Sequence, residues 1–192
     1  MGTQRLEAFT DGVIAIIITI MVLEIKVPSG ATPAAFLSSL PILFAYVLSF
    51  VNVGIFWNNH HHVLHAAERV DGKVLWANLF LLFWLSLVPF VIRWIDESGF
   101  EPLPTAAYGV VLVMAGVGYL LLEWTLVAAS GPGSTLASAV GHDRKGMISL
   151  CVYAIGIALA FWRPWVAILL YTATAAAWFL PDRRIESLKK QS

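Results

Sequence analysis

Charge is scarce in this chain. Twelve Lys and Arg and twelve Asp and Glu are spread over 192 positions and cancel to a net charge of zero. That balance offers no basic face for nucleic acid. Cysteine is almost absent: Cys151 stands alone, which excludes an intrachain disulfide, and its apolar surroundings suit a small packing residue. The sequence also lacks a low-complexity tract, a clear internal repeat and any linker that would mark a second domain. Apolar side chains are what it has, at 59% of the residues, with a mean hydropathy of +0.78. A soluble domain holds roughly 45–50%. These values point to an all-α integral membrane protein with little mass outside the bilayer. They leave no room for a soluble catalytic domain, so no enzyme activity is expected.

A bilayer core takes about 20 apolar residues per helix. Six runs qualify, at 4–27, 34–64, 73–95, 105–129, 146–162 and 164–180, and together they make one six-helix unit over residues 1–192. Polar or Pro/Gly-rich breaks separate them, such as Pro28-Ser-Gly30, Glu68-Arg-Val-Asp-Gly72, Asp96-Glu-Ser-Gly99 and Gly131-Pro-Gly133. The last two runs are short and divided only by Arg163-Pro164; two true spans are preferred to a re-entrant pair. The first run reads as a retained helix rather than a signal peptide, because Glu7 and Asp11 interrupt its start and no small-x-small cleavage site follows. With the N-terminus inside, Arg5, Arg69, Lys73, Arg144, Lys145, Arg183, Arg184, Lys189 and Lys190 fall on the inner side, against Lys26, Arg93 and Arg163 outside. The positive-inside bias therefore predicts cytoplasmic termini in a cell-membrane protein, with residues 183–190 a solvated helix end near anionic headgroups.

The first run is the most informative. Arg5 and Asp11 open it, and ionisable groups at membrane depth are kept for function or for a buried polar contact. Further along, Phe9, Val13, Ile16, Ile20, Leu23 and Val27 recur at steps of four and three and form one stripe. Branched aliphatics at such a seam suit a symmetry axis, although ordinary helix packing gives the same pattern. Asp11 lies about 140° round the helix from Ile16 and so faces neighbouring helices, and Arg5 lies about 120° from Asp11, too far round for a direct pair. Thr19 is the hydroxyl in the middle of the run, placed either to bond back to its own backbone or to face what the stripe faces.

Arg5-x-x-x-Phe9-Thr10-Asp11, followed by Gly12-Val13 and Leu23-Glu24-Ile25, resembles the signature of the transmembrane protein 175 family, whose usual form is R-x-x-x-F-S-D. Thr10 departs from it but keeps the hydroxyl. Trp57-Asn-Asn-His60-His61, and Asn78 with Leu87-Val-Pro89-Phe90, add to the likeness. The resemblance implies a homotetramer whose first helices line a central pore passing potassium and other monovalent cations. It has no glycine-rich carbonyl filter, and this sequence has none either. Carried onto matching positions, the constriction falls on Ile16, with Ile20 and Leu23 further out, and a selectivity position falls on Thr19. Arg5, Phe9, Thr10 and Asp11 become a structural lock, with His60, His61 and Asn78 as its partners.

Other residues keep open readings. His60, His61, His62 and His65 crowd the inner end of the second run, and His61 and His65 share the i, i+4 face that can bind zinc. No Glu completes a zinc-protease pattern, so hydrogen bonding to Asp11, Asn78 or backbone is preferred, with pH sensing open. No metal or cofactor is expected. Glu24 is either a cation-gathering group at the outer mouth or an interfacial residue; Glu123 either pairs inside the bundle or sits near the inner interface. Pro89 predicts a kink, and Trp94, Trp162 and Trp165 read as interfacial anchors. The alternative to a channel is a proton-coupled secondary transporter using Asp11 and the histidines, which would need discontinuous helices and usually repeats. A membrane enzyme holding metal through the histidines ranks third.

Overall fold

A computed structural model describes residues 2–131, 134, 136–137 and 144–178. All of its regular structure is helical: α1 (Thr3–Leu23), α2 (Pro33–Ser38), α3 (Leu40–His65), α4 (Gly72–Ser86), α5 (Val88–Ser98), α6 (Pro102–Ser130), α7 (Arg144–Ala160) and α8 (Pro164–Trp178). Four stretches are long and apolar enough to cross a bilayer, namely Thr3–Leu23, Leu40–His65, Gly72–Ser98 and Pro102–Ser130. The protein is therefore a membrane protein. Pro164–Trp178 is apolar but shorter, and Arg144–Ala160 has 17 residues. A three-residue turn joins these two helices, tied by the Trp162 amide donating to the Leu159 carbonyl at 3.0 Å.

Prolines set most of the differences from the hydropathy reading. The expected helix over 4–27 stops at Leu23, with Glu24 as its cap. Pro28 disfavours helical backbone at Val27, so the helix is not resumed before the loop. The expected run 34–64 is broken at Ser39 into α2 and α3, with Pro41 in the first turn of α3. Pro41 has no N–H to continue α2, and its ring would strike the carbonyl four residues back. The third run divides in the same way at Leu87, two residues before Pro89, so the helix is interrupted where a kink is expected. Asp71 caps α4 by accepting from the amides of Lys73 at 2.9 Å and Val74 at 3.0 Å. Gly99, at φ 70°, ends α5 in the left-handed conformation that glycine adopts without strain. The expected 164–180 helix is described as far as Trp178; residues 179–180 and 183–190 lie outside the described residues.

At the centre of the bundle is α6, packed by α4, α5, α7 and α8. A Cβ on Gly118 would sit 2.9 Å from the Leu81 Cα, so glycine lets α6 and α4 approach backbone to backbone. Polar side chains tie α3 to this core as well. Ser49 bonds the Tyr108 hydroxyl at 2.9 Å, and the Tyr153 hydroxyl donates to Asn52 Oδ1 at 3.2 Å. Helix α1 stands on the rim, resting on α3, α4 and α5. That position decides which of its residues are covered.

Candidate ion pathway and the polar contacts behind it

The two faces of α1 differ in chemistry as well as in cover. Leu6, Thr10, Ile14, Ile17 and Met21 point into the bundle and are buried. Ile16 (60% exposed), Ile20 (40%), Leu23 (76%) and Phe9 (49%) stand on the open side. Val13, expected on the same stripe, turns partly into the core, and Val27 lies beyond the end of the helix. Thr19 is exposed beside Ile16 and Ile20, and its hydroxyl donates to the Ala15 carbonyl at 2.7 Å. Its oxygen keeps accepting capacity toward the open side.

Behind the stripe, the N-terminal half of α1 is fastened by polar contacts. Asn78 on α4 donates its amide to Thr10 Oγ1 at 2.9 Å, and His60 Nε2 lies 2.8 Å from Asn78 Oδ1. All three side chains are essentially sealed, at 0% exposure for Thr10 and Asn78 and 1% for His60. A carbonyl oxygen only accepts, so the geometry requires the proton on His60 Nε2. A hydroxyl, an amide and one imidazole nitrogen thus pair across three helices where no water replaces a lost partner, while His60 Nδ1 is buried without a hydrogen-bond partner among the described residues.

Two more contacts run along the edge of the same site. Trp57 Nε1 donates to Asp11 Oδ1 at 2.8 Å. His61 Nδ1 meets Glu7 Oε1 at 2.6 Å, with the His61 side chain 46% and the Glu7 side chain 23% exposed. The rings of Trp57, His61 and His65 succeed one another one turn apart on α3, at 6.3 Å and 6.1 Å between centroids. Among the described residues, no three His, Cys, Asp or Glu side chains are grouped to hold a metal ion.

Of the residues singled out from the sequence, the structure brings Thr10, His60 and Asn78 into one network, and places Asp11 and His61 beside it. Asp11 points to a neighbouring helix, as its phase requires, and its partner is Trp57 rather than a histidine. Arg5 and Phe9 stand apart on the open side. The Arg5 side chain has no hydrogen bond or ion pair with another described residue, although its phase suggested a partner on another helix. Glu7, the partner of His61, was missed; a carboxylate one helical turn before Asp11 was the signal available. Glu123 is buried in α6, away from the open face of α1.

Comparison with known proteins identifies relatives of the whole chain. The family described as "Endosomal/lysosomal potassium channel TMEM175" matches residues 5–89, the segment that carries the contacts of Thr10, Asp11, His60, His61 and Asn78. Over 192 residues, all of both chains, the protein is 48% identical to potassium channel HX13_20290 of Chryseobacterium sp. (strain P1-3). It is 35% identical to the human endosomal/lysosomal proton channel TMEM175 over 96 residues, 43% of this chain and 19% of the human one. The crystal structure of a lysosomal potassium-selective channel TMEM175 homolog from Chamaesiphon minutus superposes with a TM-score of 0.77 at 27% identity, covering 93% of this chain and 96% of that one. These relatives are channels, not enzymes. Similarity along the whole chain, together with a match that spans the first helix and its polar partners, places the protein in the TMEM175 family.

Proposed function

We propose that the chain forms a homotetrameric, potassium-preferring cation channel of the cell membrane. Each subunit would contribute six spans, α7 and α8 being the fifth and sixth, with both termini cytoplasmic and α1 facing the central axis. One observation carries this reading. The open face of α1 is apolar, yet partly exposed ionisable groups border it: Glu7, Asp11 and His61. Asp11 lies about 12 Å along the helix at 1.5 Å per residue. Carboxylates at that depth do not face hydrocarbon. This side of the subunit is therefore covered by other subunits and by water, and the stripe between them faces the same space. The names of the relatives point the same way.

Four copies of Ile16 then form a neck that gates by dewetting, with Ile20 and Leu23 continuing it outward. No carbonyl filter is needed. Preference for potassium follows from its cheaper partial dehydration in such a neck, with the Thr19 hydroxyls as the polar groups nearest the ion. Thr10, Asp11, His60, His61 and Asn78 hold the wall in place, while Arg5 and Phe9 sit where copies of α1 meet at the inner mouth.

Bilayer recording under a potassium–sodium gradient tests this. The wild type should pass potassium at channel rates with a reversal potential displaced toward the potassium equilibrium. Ile16→Asn should raise conductance by about tenfold, the factor for removing about 1.4 kcal/mol of barrier, and weaken selectivity. Slow, saturating, proton-coupled flux indifferent to Ile16 would instead favour a transporter built on Asp11 and the histidines.

A further inference from the structure

The outer end of α1 carries a charge cluster that the pore reading leaves unused. Glu24 caps the helix one turn beyond Ile20 and next to Leu23. Its Oε2 is 3.3 Å from Arg93 Nη1 on α5, and Arg93 Nε donates to Glu97 Oε1 at 3.1 Å. Lys26 lies 3.9 Å from Asp96 Oδ2 and 3.8 Å from Glu97 Oε1. Three carboxylates and two cations leave each subunit with one net negative charge here. The cations and Glu97 are open, with the Arg93 side chain 57% and the Lys26 side chain 62% exposed, while Glu24 at 25% and Asp96 at 16% are more covered. A groove of about 410 Å³ lies against Phe90, Arg93, Trp94 and Glu97.

Arg93 has two neighbours because of where it stands. The helix is interrupted at Leu87, and α5, like α4 before it, rests on α1. The Arg93–Glu97 pair belongs to α5 alone, at i, i+4. The Arg93–Glu24 contact joins that helix to the end of α1. As a source of stability an exposed pair of this kind is weak. As a source of local potential it is not, because the charges of four subunits would add around one narrow entrance.

We infer that Arg93 is a positioning residue of the outer pore entrance: it draws the Glu24 carboxylate toward α5 and cancels a charge that otherwise meets the entering cation. The inference rests on the reading that α1 lines the pore. Replacing Arg93 by Gln leaves two net negative charges per subunit, and replacing Glu24 by Gln leaves none. The double variant restores one, as in the wild type. Cation entry from outside therefore rises in Arg93→Gln, falls in Glu24→Gln and returns near the wild-type value in the double variant. Arg93→Lys, which keeps the charge, stays close to wild type.

The test is unitary inward potassium current in planar bilayers, recorded in about 20 mM and about 1 M potassium chloride, where screening lengths are about 20 Å and about 3 Å. In dilute salt the expected change is roughly twofold upward for Arg93→Gln and roughly twofold downward for Glu24→Gln, both collapsing toward unity in concentrated salt. A loss of packing would not vanish with salt or reverse in the double variant. Unchanged current in both single variants, or changes that persist at high salt, would overturn the role of Arg93. Glu24→Gln carries the test alone if Arg93→Gln does not assemble. Ile16→Asn recorded in parallel separates the two readings: if it alters conductance while the outer variants do not, the entrance role fails and the pore reading stands. If none of the three alters it, both fail.

Discussion

The two faces of α1 have opposite chemistry. Toward the bundle, Thr10 is sealed against Asn78 and His60 in a network whose bonds have no substitute. On the open side, Phe9, Ile16, Ile20 and Leu23 remain 40–76% exposed. The contrast teaches a division of labour. The polar face, which looks like the functional one because charge in a membrane usually is, ties α1 to α3 and α4. The apolar face carries the proposed control of ions. A dewetting neck depends on a radius, and a radius holds only if the wall behind it is rigid.

The comparison can be broken first from behind. Asn78→Leu removes the side chain shared by Thr10 and His60 and strands both inside the bundle. Thermal unfolding in detergent, followed by tryptophan fluorescence, should show a loss of about 2 kcal/mol, the range for unpaired buried groups tempered by the weaker values of membrane interiors. An unchanged midpoint would mean that the network is dispensable. Glu97→Gln should do least. It removes one exposed partner of Arg93 and Lys26, so the same melt should move by no more than about 0.5 kcal/mol.

Much of the fold was legible because a hydrophobic run long enough to span a bilayer is an unambiguous signal. The ends and breaks of helices were less so. Hydropathy reads straight through Ser39–Pro41 and Leu87–Pro89, whereas the backbone must part there for want of an N–H. Of these breaks, the one at Pro89 was anticipated. The same blindness hid the contacts of Ser49, Asn52, Tyr108 and Tyr153, since hydroxyls and amides dispersed in apolar runs barely lower the mean and only tertiary packing brings them together.

At the site, helical phase sufficed to place Asp11 against a neighbouring helix, while its partner depended on how far α3 reaches beside α1. The resemblance named Thr10, His60 and Asn78, which meet; it also named Arg5 and Phe9, which face away from them in a single subunit. Glu7 went unnoticed because a carboxylate near a helix start is commonplace, and the ring it meets is 54 residues away in the chain.

Whether the open face of α1 meets water or lipid is the central question, and thiol accessibility answers it most directly. With Cys151 replaced by Ser, Ile20→Cys is compared with Leu169→Cys, an exposed α8 position at 64% exposure, while a small cationic thiol reagent is applied during potassium current. The account predicts prompt block for Ile20→Cys, slowed by high potassium, and none for Leu169→Cys. Current in Ile20→Cys as insensitive as in Leu169→Cys would contradict it, placing the stripe against lipid and the ion path elsewhere.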